Sequence, residues 1–146
     1  MVRKLQRWLE LSADERALLG RAAVLLPIAK LALVGLGFNR TQRVFQWVFA
    51  TRSQALSQSD SRRCAEITMK VVRIAALHGA CRANCLPRSL VAWALLRRRG
   101  LDPALRFGAR RRAGEFEAHA WVELGPLKLD EYVENEERFV PFGATV

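Results

Sequence analysis

Cys85, His119 and Asp130 are the residues in this 146-residue chain whose types and spacing could support nucleophilic chemistry. Cys85 stands at the start of a segment with the signals of a helix. Pro87 lies near its beginning, Gly100 falls just past its end, and Arg97, Arg98 and Arg99 fill the last turn. Leu86, Leu90, Trp93, Ala94 and Leu95 form its apolar side. A cysteine at a helix N-terminus meets free backbone N–H groups and the positive end of the dipole, which favour the thiolate, the reactive form. His119 belongs to a stretch of period two. There Phe116, Ala118, Ala120, Val122 and Leu124 point one way, and Glu117, His119, Trp121 and Glu123 the other. Gly125-Pro126 turns the chain, and a hairpin centred there pairs Leu124 with Leu127, Glu123 with Lys128, Val122 with Leu129, Trp121 with Asp130 and His119 with Tyr132. Asp130 is then the diagonal neighbour of His119 on one face. A carboxylate bonded to one ring nitrogen fixes the tautomer and leaves the other nitrogen to take a thiol proton.

The same residues admit other chemistry. His78, Cys81 and Cys85, with Cys64 as a fourth ligand, form a weak zinc pattern that lacks a second knuckle and leaves His119 and Asp130 unused. Cys64 recurs with Ile67, Thr68, Val71, Val72 and Ala75 on an apolar helical stripe and reads as a small buried hydrophobe. Arg88 and Ser89 read as structural or helix-surface residues, and Trp121 as a residue lining or covering a cleft. Charge is divided unevenly. Residues 115–146 carry eight acids against Lys128 and Arg138, a net of −6, whereas residues 1–114 carry 22 basic and 6 acidic residues, a net of +16. A basic body attracts nucleic acid, an anionic membrane or an acidic protein surface. No nucleic-acid reader motif accompanies the Arg runs at 97–99 and 110–112, and no aromatic residues interleave with them. The expectation is no nucleic acid.

The elements that must position these side chains follow from periodicity. Ser12-Ala13-Asp14-Glu15 is a capping box opening an apolar helix, which Pro27 is expected to kink or split. Gly35, Gly37 and Asn39 supply a stop, and Thr41 is expected to cap the next helix. Residues 51–60 are polar and linker-like, a further helix follows, and then the Cys85 helix feeds strands at Leu105–Ala109, Phe116–Leu124 and Leu127–Val133. Helices followed by an antiparallel sheet make an α+β domain. The division expected is a helical extension over 1–60 and a core over 61–146.

Cys85-Leu86-Pro87-Arg88-Ser89-Leu90, Leu95 to Gly100, Phe107-Gly108 and His119-Ala120-Trp121-Val122-Glu123, in the order Cys, His, Asp, resemble the transglutaminase-like leader peptidases of lasso-peptide biosynthesis. The resemblance covers about residues 80–142, and Leu11 to Arg16 before an apolar helix resembles the family's N-terminal extension. It implies a papain-like or transglutaminase-like core and a cysteine protease that removes the leader from a ribosomally made precursor. A separate ATP-using cyclase then closes the product. By matching motifs, Cys85 would be the nucleophile, His119 the base and Asp130 the orienting carboxylate, with no cofactor and no metal. The form expected is the split one, without the leader-recognition domain fused to some members. The implied partners are therefore the precursor leader, a separate leader-recognition protein and the cyclase. Acyl transfer to an amine on the same fold, or a basic binding module without catalysis, are the alternatives.

Three cysteines cannot all pair, and Met1 to Trp8 runs into charges without an apolar signal region, so a cytoplasmic protein is expected. Ala22 to Phe38 is largely apolar, but Pro27, Lys30, Gly35 and Gly37 interrupt it. It is expected to be a buried or interfacial helix rather than a span, with membrane association disfavoured.

Overall fold

The computed structural model describes residues 11–50, 56–79, 83–129 and 140–142. Among these residues four helices precede a four-stranded antiparallel sheet: α1 (Ala13–Leu36), α2 (Phe38–Val48), α3 (Gln58–His78), α4 (Cys85–Arg98), β1 (Ala104–Arg112), β2 (Glu115–Leu124), β3 (Leu127–Leu129) and β4 (Val140–Pro141), in the order β3-β2-β1-β4. The fold is α+β, as expected. Helix α1 begins with the reciprocal capping box: the Glu15 amide donates to Ser12 Oγ (3.2 Å) and the Ser12 amide to Glu15 Oε2 (2.8 Å). That backbone hydrogen bond, with Lys70 Nζ 3.4 Å away on α3, holds the Glu15 carboxyl below its usual range.

Three local expectations change. Pro27 does not split the first helix; α1 runs through it for 24 residues. The missing N–H is tolerated because Leu18, Leu19, Ala22, Leu26 and Ala29, on both sides of the proline, are buried and hold the helix. Thr41 is not a cap: α2 starts at Phe38 after Gly37 (φ 76°), and Thr41, fully buried, donates its hydroxyl back to the Gly37 carbonyl at 2.8 Å. The polar stretch 51–60 is helical from Gln58 onward, where Ser57 caps α3 by accepting the Asp60 amide; residues 51–55 lie outside the described ones.

Helix α4 is the centre of the molecule. Periodicity gave it one apolar side, yet every residue from Ser89 to Leu96 is buried, because α1, α3 and the sheet all pack against it. Trp93 is 1% exposed and donates its indole N–H to the Pro103 carbonyl (3.0 Å). The guanidinium carbon of Arg97 sits 4.9 Å from that ring's centroid, and its Nε donates to the Phe49 carbonyl (3.3 Å). An arginine that the sequence places in the last turn of a helix, where its charge suits the dipole, therefore also ties α2 to α4. One hydrophobic core runs from Leu18, Ala22 and Leu26 through Val71, Leu90 and Leu95 to Leu105 and Val122. The hairpin register is the expected one where described: Val122 pairs with Leu129, Glu123 with Lys128 and Leu124 with Leu127. Strand β4, pairing Gly108 with Pro141 and Ala109 with Val140, left no readable signal because it is two residues long and contains a proline.

Candidate active site

Cys85 is the first residue of α4, after an extended Asn84 (φ −70°, ψ 179°) whose side chain makes no cap hydrogen bond. The open end of the helix thus stays directed at the cysteine rather than at a capping side chain. The half-buried Cys85 thiol is hydrogen-bonded to the His119 imidazole, and this contact lowers its pKa most. Burial opposes the shift, while the backbone N–H groups of Ala120 and Leu86 add to it, and the net effect holds the thiol below its ordinary range. The two residues are 34 positions apart in sequence, and the packing of α4 on β2 brings them together.

The joint between these elements is fixed by Ser89, one helical turn after Cys85. Its buried hydroxyl donates to the Ala120 carbonyl at 2.8 Å. The amide of Ala120 reaches the thiol and its carbonyl takes the serine, so one peptide residue beside His119 sets the spacing of helix and strand. The sequence offered no signal for this beyond a small polar residue among apolar ones, and the structural reading of Ser89 fits what its side chain does.

His119 rests on Trp121, two residues along the same strand face, with centroids 6.2 Å apart and planes inclined by 18°. Trp121 is buried (2% exposed), although its face of β2 read as the polar one. The indole N–H donates to Glu123 Oε1 (2.9 Å), and Lys128 Nζ lies 4.4 Å from the ring centroid. Glu123 does not simply face Lys128 as a charge pair: its other oxygen accepts from Arg106 Nε at 2.9 Å. Burial raises the Glu123 pKa, but hydrogen bonds from Trp121 and Arg106 and the charges of Arg106 and Lys128 outweigh it, so the carboxyl lies below its usual range. Behind this set, Gly108 pairs with His119 across the ladder. A Cβ there would lie 2.6 Å from the Val140 carbonyl oxygen and 2.8 Å from Trp121 Cη2, so only glycine lets the indole and β4 approach together.

At the other end of β2 the expected apolar row fails. Phe116 and Ala118 are exposed while Ala120 and Val122 are buried, because the first half of the strand projects past α4. Asp130 and Cys81 lie outside the described residues. Cys64 packs against the core with its sulfur 3.5 Å from Arg99 Nη1, and among the described residues no three His, Cys, Asp or Glu side chains form a metal-binding group.

Cys85, Arg88 and His119 face Met69 and Arg73 of α3 and Leu129 of β3 across a cleft of about 20 Å³, room for roughly one water. Met69, Arg73 and Leu129 also line an open groove of about 510 Å³ that continues along Lys70, Ile74 and Lys128. A half-buried thiol paired with an imidazole at a helix start, opening into an exposed groove, is suited to attack on a carbonyl carbon of an extended chain. Comparison with known proteins gives one family match, the transglutaminase-like superfamily, over residues 32–143. No curated protein and no solved structure matches the chain.

Proposed function

The chain belongs to the transglutaminase-like superfamily, and from that premise we propose that it is a cytoplasmic cysteine endopeptidase that cuts the leader from a ribosomally made lasso-peptide precursor. The observation that carries this reading is the hydrogen bond between the Cys85 thiol and His119 at the open end of α4. In the reaction, the Cys85 thiolate attacks the scissile carbonyl carbon and His119 gives its proton to the leaving amine as the C–N bond breaks. This leaves a thioester on Cys85. His119 then takes a proton from water, whose oxygen attacks the thioester, releasing a carboxylate and the thiol. Asp130 is assigned to hold the imidazole by its other nitrogen. Residues 61–146 would carry this chemistry, with 1–60 as a helical layer against them.

The substrate is an extended peptide running from the cleft into the groove beside Lys70, Arg73 and Lys128, whose charges suit an acidic leader. The leader is delivered by a separate recognition protein, and the cut precursor passes to the cyclase. Binding to nucleic acid is disfavoured by the engagement of several arginines within the chain: Arg97 on Trp93, Arg106 on Glu123 and, at the exposed end of the sheet, Arg110 on Glu117 (2.8 Å).

The test is mass spectrometry of the precursor encoded in a neighbouring reading frame, incubated with wild type or Cys85→Ala, with and without the recognition partner. Cleavage at one bond by wild type, and none by a folded Cys85→Ala protein, is the expected result. Equal cleavage by both proteins would refute the reading. Formation of an amide with an added amine, in place of hydrolysis, would move the chain to the acyl-transfer branch of the same chemistry.

A further inference from the structure

Helix α1 is apolar on both sides. Leu18, Ala22, Leu26 and Ala29 are buried against the rest of the fold, as expected of a core helix. On the other side Val24, Ile28 and Leu31, spaced by four and three residues, form an exposed stripe that continues to Val34, and Leu31 and Val34 are 72% and 83% exposed. Helix α2, which follows directly after Gly37, carries further exposed apolar side chains, Val44, Trp47 and Val48, Trp47 being 83% exposed. Of the large apolar side chains exposed among the described residues, most belong to these two helices. An apolar surface this extended marks a place of contact.

Charge identifies the contact. Residues 16–50 contain Arg16, Arg21, Lys30, Arg40 and Arg43 and no Asp or Glu. Arg40 and Arg43 are exposed and precede Trp47 by seven and four residues, which puts all three on one side of α2. A second copy of the chain seated face to face would set these cations against their own kind. A phase that is apolar within and anionic at its edge satisfies both the aliphatic stripe and the arginines, and an exposed tryptophan on the same side of α2 as those arginines suits a membrane–water boundary, where tryptophan is enriched. Helix α1 has the length and hydropathy of a membrane span, but its inner side is part of the protein core. Spanning would strip that core, whereas lying in the plane of the interface would leave it intact.

We propose that the outer face of α1 and α2 docks on an anionic lipid bilayer, with Val24, Ile28, Leu31, Val34 and Trp47 entering the interface and Arg40 and Arg43 meeting headgroup phosphates. The inference is independent of the peptidase reading, since its readout is binding and none of these residues belongs to the thiol site. The experiment is flotation of the full chain with phosphatidylcholine vesicles, with or without about 30 mol% phosphatidylglycerol, at low and high salt. Wild type should partition at least about ten-fold more onto the anionic vesicles and lose this preference in high salt. The Leu31→Glu/Val34→Glu/Trp47→Glu protein, its fold checked by circular dichroism and thermal midpoint, should lose the binding. Arg40→Glu/Arg43→Glu should lose the anionic preference. Failure of wild type to float, or flotation of the triple variant equal to wild type, overturns the proposal. So does a wild type that ignores vesicles but forms a dimer, or a complex with an acidic partner, that the triple variant disperses.

Discussion

At the residue scale the chemistry turns on how far His119 alters Cys85. The hydrogen bond from the imidazole and the amides of Ala120 and Leu86 favour the thiolate, and burial opposes it. Because the folded thiol ionises at lower pH than an unfolded one, the thiolate adds stability that is present above the unfolded pKa and is lost as pH falls through the folded one. The same sign governs reactivity. In a Cys64→Ala/Cys81→Ala background, iodoacetamide should label Cys85 with a pH midpoint below that of an ordinary thiol. His119→Gln should move that midpoint upward, read by mass spectrometry across a pH series. An unchanged midpoint would mean that the imidazole does not set the ionisation. Gly108 belongs to this scale as well. Gly108→Ala drives a methyl group into Trp121 and the Val140 carbonyl, and should cost about 1–3 kcal/mol in denaturant unfolding. Because Trp121 supports His119, turnover should fall with it.

At the element scale the site is a joint between α4 and β2, and Ser89 to Ala120 is its described hydrogen bond from side chain to backbone. Ser89→Ala leaves a buried carbonyl without this donor and should destabilise the protein by about 1–3 kcal/mol. If the joint sets the distance from Cys85 to His119, kcat should drop while KM stays close to wild type; a stability loss with full kcat would make Ser89 a packing residue only. The hairpin was legible because its register is fixed by alternation and by a Gly-Pro turn, and Val122 opposite Leu129 came out as read. The burial of the strand was not legible. Trp121 stands on the face of β2 that alternation reads as polar, yet it is 2% exposed, with His119, Glu123, Lys128 and Gly108 packed around its indole.

At the scale of the whole molecule, in the proposed reaction the basic body and the groove beside Lys70, Arg73 and Lys128 would act on the approach of substrate rather than on the chemical step. For an acidic precursor, kcat/KM should fall as ionic strength rises, and fall less for a variant precursor whose acids are replaced by Gln. Arg73→Gln should raise KM several-fold, on the order of the about 1 kcal/mol or less of a solvent-screened charge contact, with kcat little changed. A salt-independent kcat/KM would show that the charge of the body does not guide this substrate. Composition already pointed to an attraction of this kind but could not separate cations held inside the fold, such as Arg97 and Arg106, from those along the groove.

The sequence by itself determined the chemistry-bearing types and their local frames: a cysteine at a helix start, a histidine on an alternating strand, and a hairpin whose register follows from its turn. These depend on near neighbours, through capping, dipole and period, and near neighbours are what a sequence displays. Only the tertiary structure decided that Cys85 and His119 meet, that Ser89 and Gly108 set the space they meet in, that α4 is buried all round, and that α1 runs unbroken past Pro27. Each of those outcomes depends on contacts between segments distant in the chain, where packing on several sides outweighs the preference of any one stretch.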